Sequence, residues 1–232
     1  MSRVCAVLGV GPGNGEAFVR RFSDEGYQVA MLARSEDYLL DLEASIASAH
    51  AFPCDLMQPA QITSVLAAIE SKLGPVSVVL YNAGGGTFKN VEQASLEDFE
   101  ANWRINVQGL LAATKAALPQ LRQHDSASII VTSASAATRG RANTAPFASA
   151  KAAQRSLAQS LARQLGPEKI HVANVVIDGV VDLPRTREML PDKPDDFFVQ
   201  PSAVADGVWT LCQQDPSAWT QELDIRPFGE NW

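Results

Sequence analysis

The fold is decided by one stretch near the start of the chain, Val4-Cys5-Ala6-Val7-Leu8-Gly9-Val10-Gly11-Pro12-Gly13-Asn14-Gly15. Its apolar half predicts a buried strand, and the pattern that follows predicts a helix over residues 15–25. A glycine-rich turn between a strand and a helix lets backbone N–H groups and the helix N-terminus face a phosphate group. Such a turn can also be purely structural, but its place directly after the first strand favours phosphate binding. The residues predicted to form this site are Gly9, Gly11, Pro12, Gly13, Asn14 and Gly15.

Short apolar runs alternate with helical patterns along the rest of the chain. The predicted strands lie at residues 4–8, 28–33, 51–54, 76–80, 128–132, 170–177 and 221–226. The predicted helices lie at residues 15–25, 36–47, 60–73, 95–118, 148–165 and 203–212, and a loop is predicted over residues 183–201. Continuous apolar strands separated by helices are typical of a parallel sheet covered on both faces. We therefore predict one domain over residues 1–232, an α/β Rossmann-type doubly wound parallel sheet of about seven strands in three layers.

Composition and charge argue against several classes of function. The 232 residues are 46% hydrophobic and 19% charged, and the formal net charge is -7, whereas nucleic-acid binding needs a basic face. The three cysteines are widely spaced and the three histidines share no spacing, so no metal site is predicted. The longest apolar run is too short for a membrane span or a secretory signal. We expect a cytoplasmic protein that binds neither nucleic acid nor membrane.

The end of the second predicted strand indicates which dinucleotide the turn would accept. An acidic residue about 20 positions beyond the glycines bonds the adenosine ribose hydroxyls and favours NAD, whereas arginine suits the 2′-phosphate of NADP. Here Ala33 is followed by Arg34 and Ser35, a guanidinium and a hydroxyl that can both donate to phosphate. In the alternative interpretation Arg34 is a surface residue paired with Glu36 or Asp37. We predict NADP(H) as the cofactor.

Three features carry a resemblance to a known family. The glycines follow the pattern Gly9-x-x-x-Gly13-x-Gly15, Cys54-Asp55-Leu56 follows the third predicted strand, and Asn82-Ala83-Gly84 follows the fourth. In this order and spacing the chain resembles the short-chain dehydrogenase/reductase family, although Leu8 and Leu183 each stand where the family has a threonine. The resemblance implies cofactor contacts from these segments and from the turn after the sixth strand, namely from Asp55, Leu56, Asn82, Ala83, Gly84, Gly179 and Val181.

The catalytic residues of that family are only partly matched. The resemblance implies carbonyl reduction, in which nicotinamide supplies a hydride and a tyrosine supplies a proton, assisted by a lysine four residues later. Asn106 and Lys151 match the family's asparagine and lysine, which are also expected to contact the cofactor. The tyrosine position, however, holds Phe147, and the position of the family's serine holds Ala134. The usual proton donor is therefore absent.

Three hypotheses follow from this partial match. In the first, the protein is an NADP(H)-dependent oxidoreductase of a small-molecule carbonyl or alcohol with a rearranged proton path. Lys151 then delivers a proton through a cofactor hydroxyl and a water held by Asn106, or Asp178 does so if burial keeps it protonated. Ser133 or Ser135 could replace the missing serine after a local backbone shift. In the second, the protein binds NADP(H) without chemistry, as a sensor or partner subunit. In the third, Lys151 and Asn106 are merely structural, which their family spacing disfavours.

Expectations about substrate and assembly rest on less specific features. The loop over residues 184–200 indicates a partly apolar ligand with an anionic end, because it carries Arg185, Arg187, Met189, Phe197 and Phe198. The resemblance implies that the helices at residues 95–118 and 148–165 form a subunit interface, so a homodimer or homotetramer is expected. Phe99 and Trp103 are expected in the core, since they lie four residues apart on one helix. The tail over residues 226–232 could close an active site.

Overall fold

The computed structural model describes residues 3–229, and a parallel sheet of seven strands lies at its centre. The strands in chain order are β1 (Val4–Leu8), β2 (Gln28–Ala33), β3 (Ala49–Pro53), β4 (Val76–Tyr81), β5 (Ala127–Ala134), β6 (Ile170–Ile177), β7 (Val180–Val181), β8 (Phe198–Val199) and β9 (Glu222–Ile225). The sheet has the order β3-β2-β1-β4-β5-β6-β9, and every pairing in it is parallel. The strand order reverses between β1 and β4, which creates the crevice where doubly wound sheets bind ligands. The predicted Rossmann-type fold is confirmed.

Helices cover both faces of this sheet. They are α1 (Asn14–Asp24), α2 (Glu36–Ser45), α3 (Pro59–Leu73), α4 (Leu96–Trp103), α5 (Gly109–Leu121), α6 (Ala145–Leu165), α7 (Pro184–Met189) and α8 (Pro201–Cys212). One buried apolar cluster packs α3, α5 and α6 against the sheet, and a second packs α1, α2 and α8 against its other face. Because β1, β4 and β6 are buried along their whole length, their sequences are almost entirely apolar.

The predicted helix over residues 95–118 is divided in two. Ser95 caps α4 as expected, and Asp98 completes a reciprocal capping box with it. A π-helical turn over Arg104–Gln108 then separates α4 from α5. Such turns insert an extra residue into a helix and occur often at functional sites. The turn carries Asn106 into the protein interior, where its side chain is fully buried.

The segment predicted as a loop over residues 183–201 is partly ordered into regular elements, which corrects that prediction. It contains α7, and β8 pairs with β7 in a separate two-stranded sheet. Pro184 occupies the first turn of α7, where proline is tolerated. Thr186 Oγ1 accepts a hydrogen bond from the Leu183 N–H and donates to the Val181 carbonyl, at 3.0 and 2.6 Å. These contacts depend on local polar pairing that apolar periodicity does not reveal.

The expectation that Phe99 and Trp103 belong to the core is wrong. Their side chains are 38% and 45% exposed. The residue of α4 that is buried against the protein is Asn102, so the inward face of this helix is polar. Its aromatic side chains therefore lie on the outer surface.

The tail over residues 226–232 was expected to be able to close an active site, and no membrane span was expected. Of the tail over residues 226–232, Glu230, Asn231 and Trp232 lie outside the described residues, and Phe228 within them is exposed. Within residues 3–229, every helix is too short or too polar to traverse a bilayer.

Candidate cofactor and active site

Two adjoining cavities lie at the carboxyl ends of the central strands. The larger, of about 480 Å³, is lined by Gly9, Val10, Ala33, Arg34, Ser35, Cys54, Asp55, Leu56, Met57, Asn82, Ala83, Gly84, Gly85, Thr87, Ala101, Asn102 and Ile105. The smaller, of about 190 Å³, is lined by Gly9, Gly11, Pro12, Asn14, Gly15, Asn82, Val181 and Leu183. The two cavities share Gly9 and Asn82. The fold thus brings most of the predicted cofactor-binding residues to one crevice, together with Met57, Thr87 and Asn102, which were not predicted.

The glycine-rich turn packs so tightly that side chains are excluded from it. Gly9 has φ +95°, and a Cβ atom there would lie 2.5 Å from the backbone nitrogen of Ala83. A Cβ atom on Gly15 would lie 2.7 Å from the Gly9 carbonyl oxygen. At Gly13, with φ +102°, a methyl group of Leu183 occupies the place where a Cβ would lie. The turn is therefore built for close backbone approach, as its sequence predicts.

Asn82 ties the glycine-rich turn to the neighbouring strands. Its Nδ2 donates to the Gly9 carbonyl at 2.8 Å, and its Oδ1 accepts from Thr132 Oγ1 at 3.1 Å. Asp55 has a similar local role, because its Oδ1 accepts from the Met57 N–H at 3.0 Å in a short turn. Both predicted residues line the larger cavity, but these atoms already have partners within the chain.

Arg34 and Ser35 form an open polar edge of the larger cavity. Across residues 3–229, the exposed Arg34 guanidinium has neither an ion pair nor a hydrogen bond, so the alternative pairing with Glu36 or Asp37 is not formed. Ser35 is the N-cap residue of α2, yet its hydroxyl makes no capping hydrogen bond. A cation and a hydroxyl thus lie unengaged at the helix N-terminus, which is a favourable place for an anion.

A buried polar centre links α6 to the π-helical turn. Lys151 is 5% exposed, and its Nζ donates to the Thr132 carbonyl at 3.1 Å and to Gln154 Oε1 at 2.9 Å. Burial lowers the pKa of Lys151 to about 8. A Cβ atom on Gly84 would lie 3.4 Å from Lys151 Nζ and 3.5 Å from Asn106 Oδ1. The structure therefore brings Lys151 and Asn106 together beside Gly84, at the wall of the larger cavity.

The amide of Asn106 is only half satisfied. Its Nδ2 donates to the carbonyls of Asn102 and Gly85, at 2.9 and 3.3 Å. Its Oδ1 is buried and has no hydrogen-bond partner among the described residues. The backbone carbonyl of Asn106, by contrast, accepts from Gln154 Nε2 at 2.9 Å. Buried acceptors are rarely left unpaired, so Oδ1 is available to a donor on a ligand or a water.

The residues at the expected tyrosine and serine positions carry no proton to donate. The Phe147 ring packs against Phe88 at 5.3 Å between ring centroids, and Ala134 ends β5. Ser133 is buried and its hydroxyl has no partner among residues 3–229, whereas Ser135 begins a short 3₁₀ turn. Within that part of the chain, no hydrogen bond joins either serine to Lys151.

Asp178 lies in an ion pair that was not predicted. Its carboxylate oxygens each accept from Arg139 Nη2 at 3.3 Å, and its backbone N–H donates to the Ile225 carbonyl at 2.8 Å. The Arg139 guanidinium thus engages both oxygens of the Asp178 carboxylate. A Cβ atom on the next residue, Gly179, would lie 2.7 Å from a Val199 methyl group, so this glycine serves close packing.

Sequence and structure comparisons agree on the family. A model of the short chain dehydrogenase family matches residues 3–193. The chain belongs to that family. A short-chain dehydrogenase from Rhodopseudomonas palustris is 30% identical, with a TM-score of 0.83 and coverage of 97% of this chain and 99% of that one. An NADPH-bound short chain oxidoreductase from Pseudomonas aeruginosa, described as containing an atypical catalytic center, has a TM-score of 0.91 at 21% identity and covers 99% and 97%. An uncharacterized oxidoreductase from Staphylococcus aureus is 22% identical, with 97% of both chains covered.

In this short-chain dehydrogenase, the segment over residues 184–200 was expected to contact the substrate. Two of the side chains on which that expectation rests instead contact other residues of the same segment or its neighbours. Arg187 forms ion pairs with Asp182 and Asp195, both at 2.7 Å, and hydrogen bonding from Arg187 lowers the pKa of Asp182 to about 2. Phe198 is 3% exposed, and the Arg187 guanidinium lies 4.1 Å from the centre of its ring. Arg187 and Phe198 thus stabilise the segment itself. Met189 remains 71% exposed.

No metal centre was predicted. In the part of the chain that the structure describes, no three His, Cys, Asp or Glu side chains come close enough to ligate a metal ion.

Proposed function

We propose that this short-chain dehydrogenase is an NADP(H)-dependent oxidoreductase that interconverts a carbonyl and an alcohol on a small molecule by an atypical proton path. The observation that carries the proposal is one crevice with two chemically distinct parts. Arg34 and Ser35, whose side chains make no other polar contact among residues 3–229, line one part of its wall. The buried Lys151 and Asn106 lie behind another part, at Gly84.

The crevice fits a nicotinamide dinucleotide. The glycine-rich turn excludes side chains where a pyrophosphate would approach the backbone, and α1 begins directly after it. Arg34 and Ser35 suit a 2′-phosphate, while Ala33 offers no carboxylate to the ribose hydroxyls of NAD. The orphan Oδ1 of Asn106 can accept from a ligand hydroxyl. The similar Pseudomonas aeruginosa oxidoreductase was crystallised with NADPH, which supports the same choice for this chain.

Lys151 supplies the proton in this proposal. A bound nicotinamide supplies or accepts the hydride, and the chain must provide a proton for the developing alkoxide oxygen. Lys151 carries its proton at neutral pH, because its pKa is about 8. A buried lysine with a pKa near the working pH is well suited to general acid catalysis.

A second candidate function is NADP(H) binding without turnover, as a sensor or partner subunit. It is favoured by the absence of a hydroxyl at both Phe147 and Ala134. Removing a general acid costs about 10²–10⁴ in rate, and losing one oxyanion donor costs about 10²–10³. Binding of NADPH with no hydride transfer to any carbonyl compound would support this second function.

The Lys151→Ala variant tests the proposed chemistry. With NADPH and a panel of aldehydes and ketones, we expect the turnover of the variant to be about 10²–10⁴-fold lower than that of the parent. The parent's rate of reduction should fall as the pH rises above 8, because the acid loses its proton there. The matched control is Lys115→Ala, at an exposed position of α5. Unchanged turnover in Lys151→Ala would exclude Lys151 as the acid.

We also propose that the protein is a homodimer or homotetramer. The α4–α5 surface exposes large apolar side chains, including Leu96 at 85%, Trp103 at 45% and Leu111 at 43%. Large exposed apolar side chains mark an interaction surface where they form a patch. Light scattering is expected to give two or four times the mass of the chain, and a monomer mass at micromolar concentration would contradict this.

A further inference from the structure

Gln154 is the one fully buried amide side chain of α6 in the described structure, with 0% exposure. It lies three residues after Lys151, so both side chains lie on the same face of the helix. Its Oε1 accepts from Lys151 Nζ at 2.9 Å, and its Nε2 donates to the Asn106 carbonyl at 2.9 Å. A single amide therefore joins the lysine to the π-helical turn.

We propose that Gln154 is a positioning residue that holds the Lys151 ammonium group and closes its interior side to proton exchange, so that Lys151 exchanges protons only toward the cavity. This inference deepens the proposed function and rests on it for its catalytic meaning.

The hydrogen-bond partners of Lys151 support this closure. Two of its three N–H donors are occupied by the Thr132 carbonyl and by Gln154 Oε1. Neither a backbone carbonyl nor a carboxamide releases or takes up a proton near neutral pH, so neither passes a proton onward. Nζ itself lies 3.4 Å from a Cβ built on Gly84, whose backbone lines the larger cavity, so the third N–H is left for that side. A proton leaving Lys151 therefore has one open direction.

Among residues 3–229, no carboxylate forms an ion pair with Lys151. Charged side chains on and around α6 form ion pairs of their own, namely Arg104 with Glu100, Arg139 with Asp178, Arg155 with Glu222 and Lys89 with Asp98. Desolvation is the cause of the lowered pKa of Lys151. A hydrogen bond to the charged form opposes desolvation, so Gln154 keeps Lys151 protonated to a higher pH than burial alone would allow.

The test is an NMR titration of the protein without ligand, with ¹³C-labelled lysine. The chain has six lysines, and the Lys151→Met variant assigns the resonance of Lys151. In the parent, we expect Lys151 to titrate near pH 8. Gln154→Met keeps the volume of the side chain but removes its acceptor, and should lower this pKa by about one unit. Gln154→Glu places a carboxylate against the ammonium and should raise it by about one to three units.

A matched control and a second readout separate positioning from simple packing. Gln159→Met, on the same helix away from Lys151, should leave the titration of Lys151 unchanged. Thermal unfolding checks that each variant is folded. If Gln154→Met does not fold, the pKa of Lys151 in Gln154→Glu is the deciding result. An unchanged pKa of Lys151 in the folded Gln154 variants would overturn the inference. Because the titration needs no cofactor, an unchanged pKa of Lys151 would not contradict the proposed function. Failure to bind NADPH would contradict the proposed function but would not affect the titration result for Lys151.

Discussion

Replacement of Gly9 by alanine is expected to destabilise the fold by about 3–5 kcal/mol and to abolish NADPH binding. A Cβ atom at this position would lie 2.5 Å from the Ala83 nitrogen and 2.6 Å from its Cα, and both contacts involve backbone that cannot move aside cheaply. The φ angle of +95° adds strain for any residue with a side chain. Denaturant unfolding followed by circular dichroism measures the loss of stability.

Gly11→Ala is the matched control for this prediction. Apart from its two chain neighbours, no described residue has a heavy atom within 4 Å of a Cβ built on Gly11, and the Gly11 backbone does not have a positive φ angle. We expect a change of stability within about 0.5–1 kcal/mol. Equal stability of the Gly9 and Gly11 variants would contradict the packing of the glycine-rich turn against Ala83.

Introducing the hydroxyl groups that the family uses should increase turnover by about 10²-fold or more. The variant is Phe147→Tyr combined with Ala134→Ser. Phe147 lies one helical turn before Lys151 on α6, so a tyrosine hydroxyl would be introduced on the same side of the helix as the buried ammonium. General acid catalysis by such a group contributes about 10²–10⁴ in rate. The rate of NADPH consumption with the most reactive carbonyl compound of the panel is the measurement.

The control for this gain is Phe88→Tyr. The Phe88 ring packs against Phe147 but is 66% exposed, so a hydroxyl there faces solvent. It should leave turnover unchanged. If the double variant binds NADPH as tightly as the parent yet shows no gain, the assignment of Phe147 to the tyrosine position is wrong.

Much of the fold could be predicted from the apolar pattern because the sheet is covered on both faces. The predicted bounds of β2 and β6 are the same as the observed ones, Gln28–Ala33 and Ile170–Ile177. Both strands are mostly apolar, and a charged residue follows each of them directly. The glycine-rich turn could also be predicted from the sequence, because it follows the apolar strand β1 directly. The cavity at the strand ends then follows from the topology.

The features that were not predicted depend on contacts between distant segments. Gln154 meets the carbonyl of Asn106, 48 residues away, and Arg139 meets Asp178, 39 residues away. One local signal was available for Gln154, because a glutamine three residues after a site lysine lies on the same helical face. The exposure of Trp103 had no such signal, since an aromatic residue on a helix can face the core or another subunit equally well.

Titration of the purified protein with NADPH and with NADH, followed by nicotinamide fluorescence, tests the central assignment most directly. We expect selective binding of NADPH, weakened about 10- to 100-fold by Arg34→Ala, because charge-assisted hydrogen bonds to the 2′-phosphate are lost. Arg163→Ala, at an exposed arginine of α6, serves as the control and should bind NADPH like the parent. Equal binding of NADPH and NADH, or no binding of either, would contradict the proposed dependence on NADP(H).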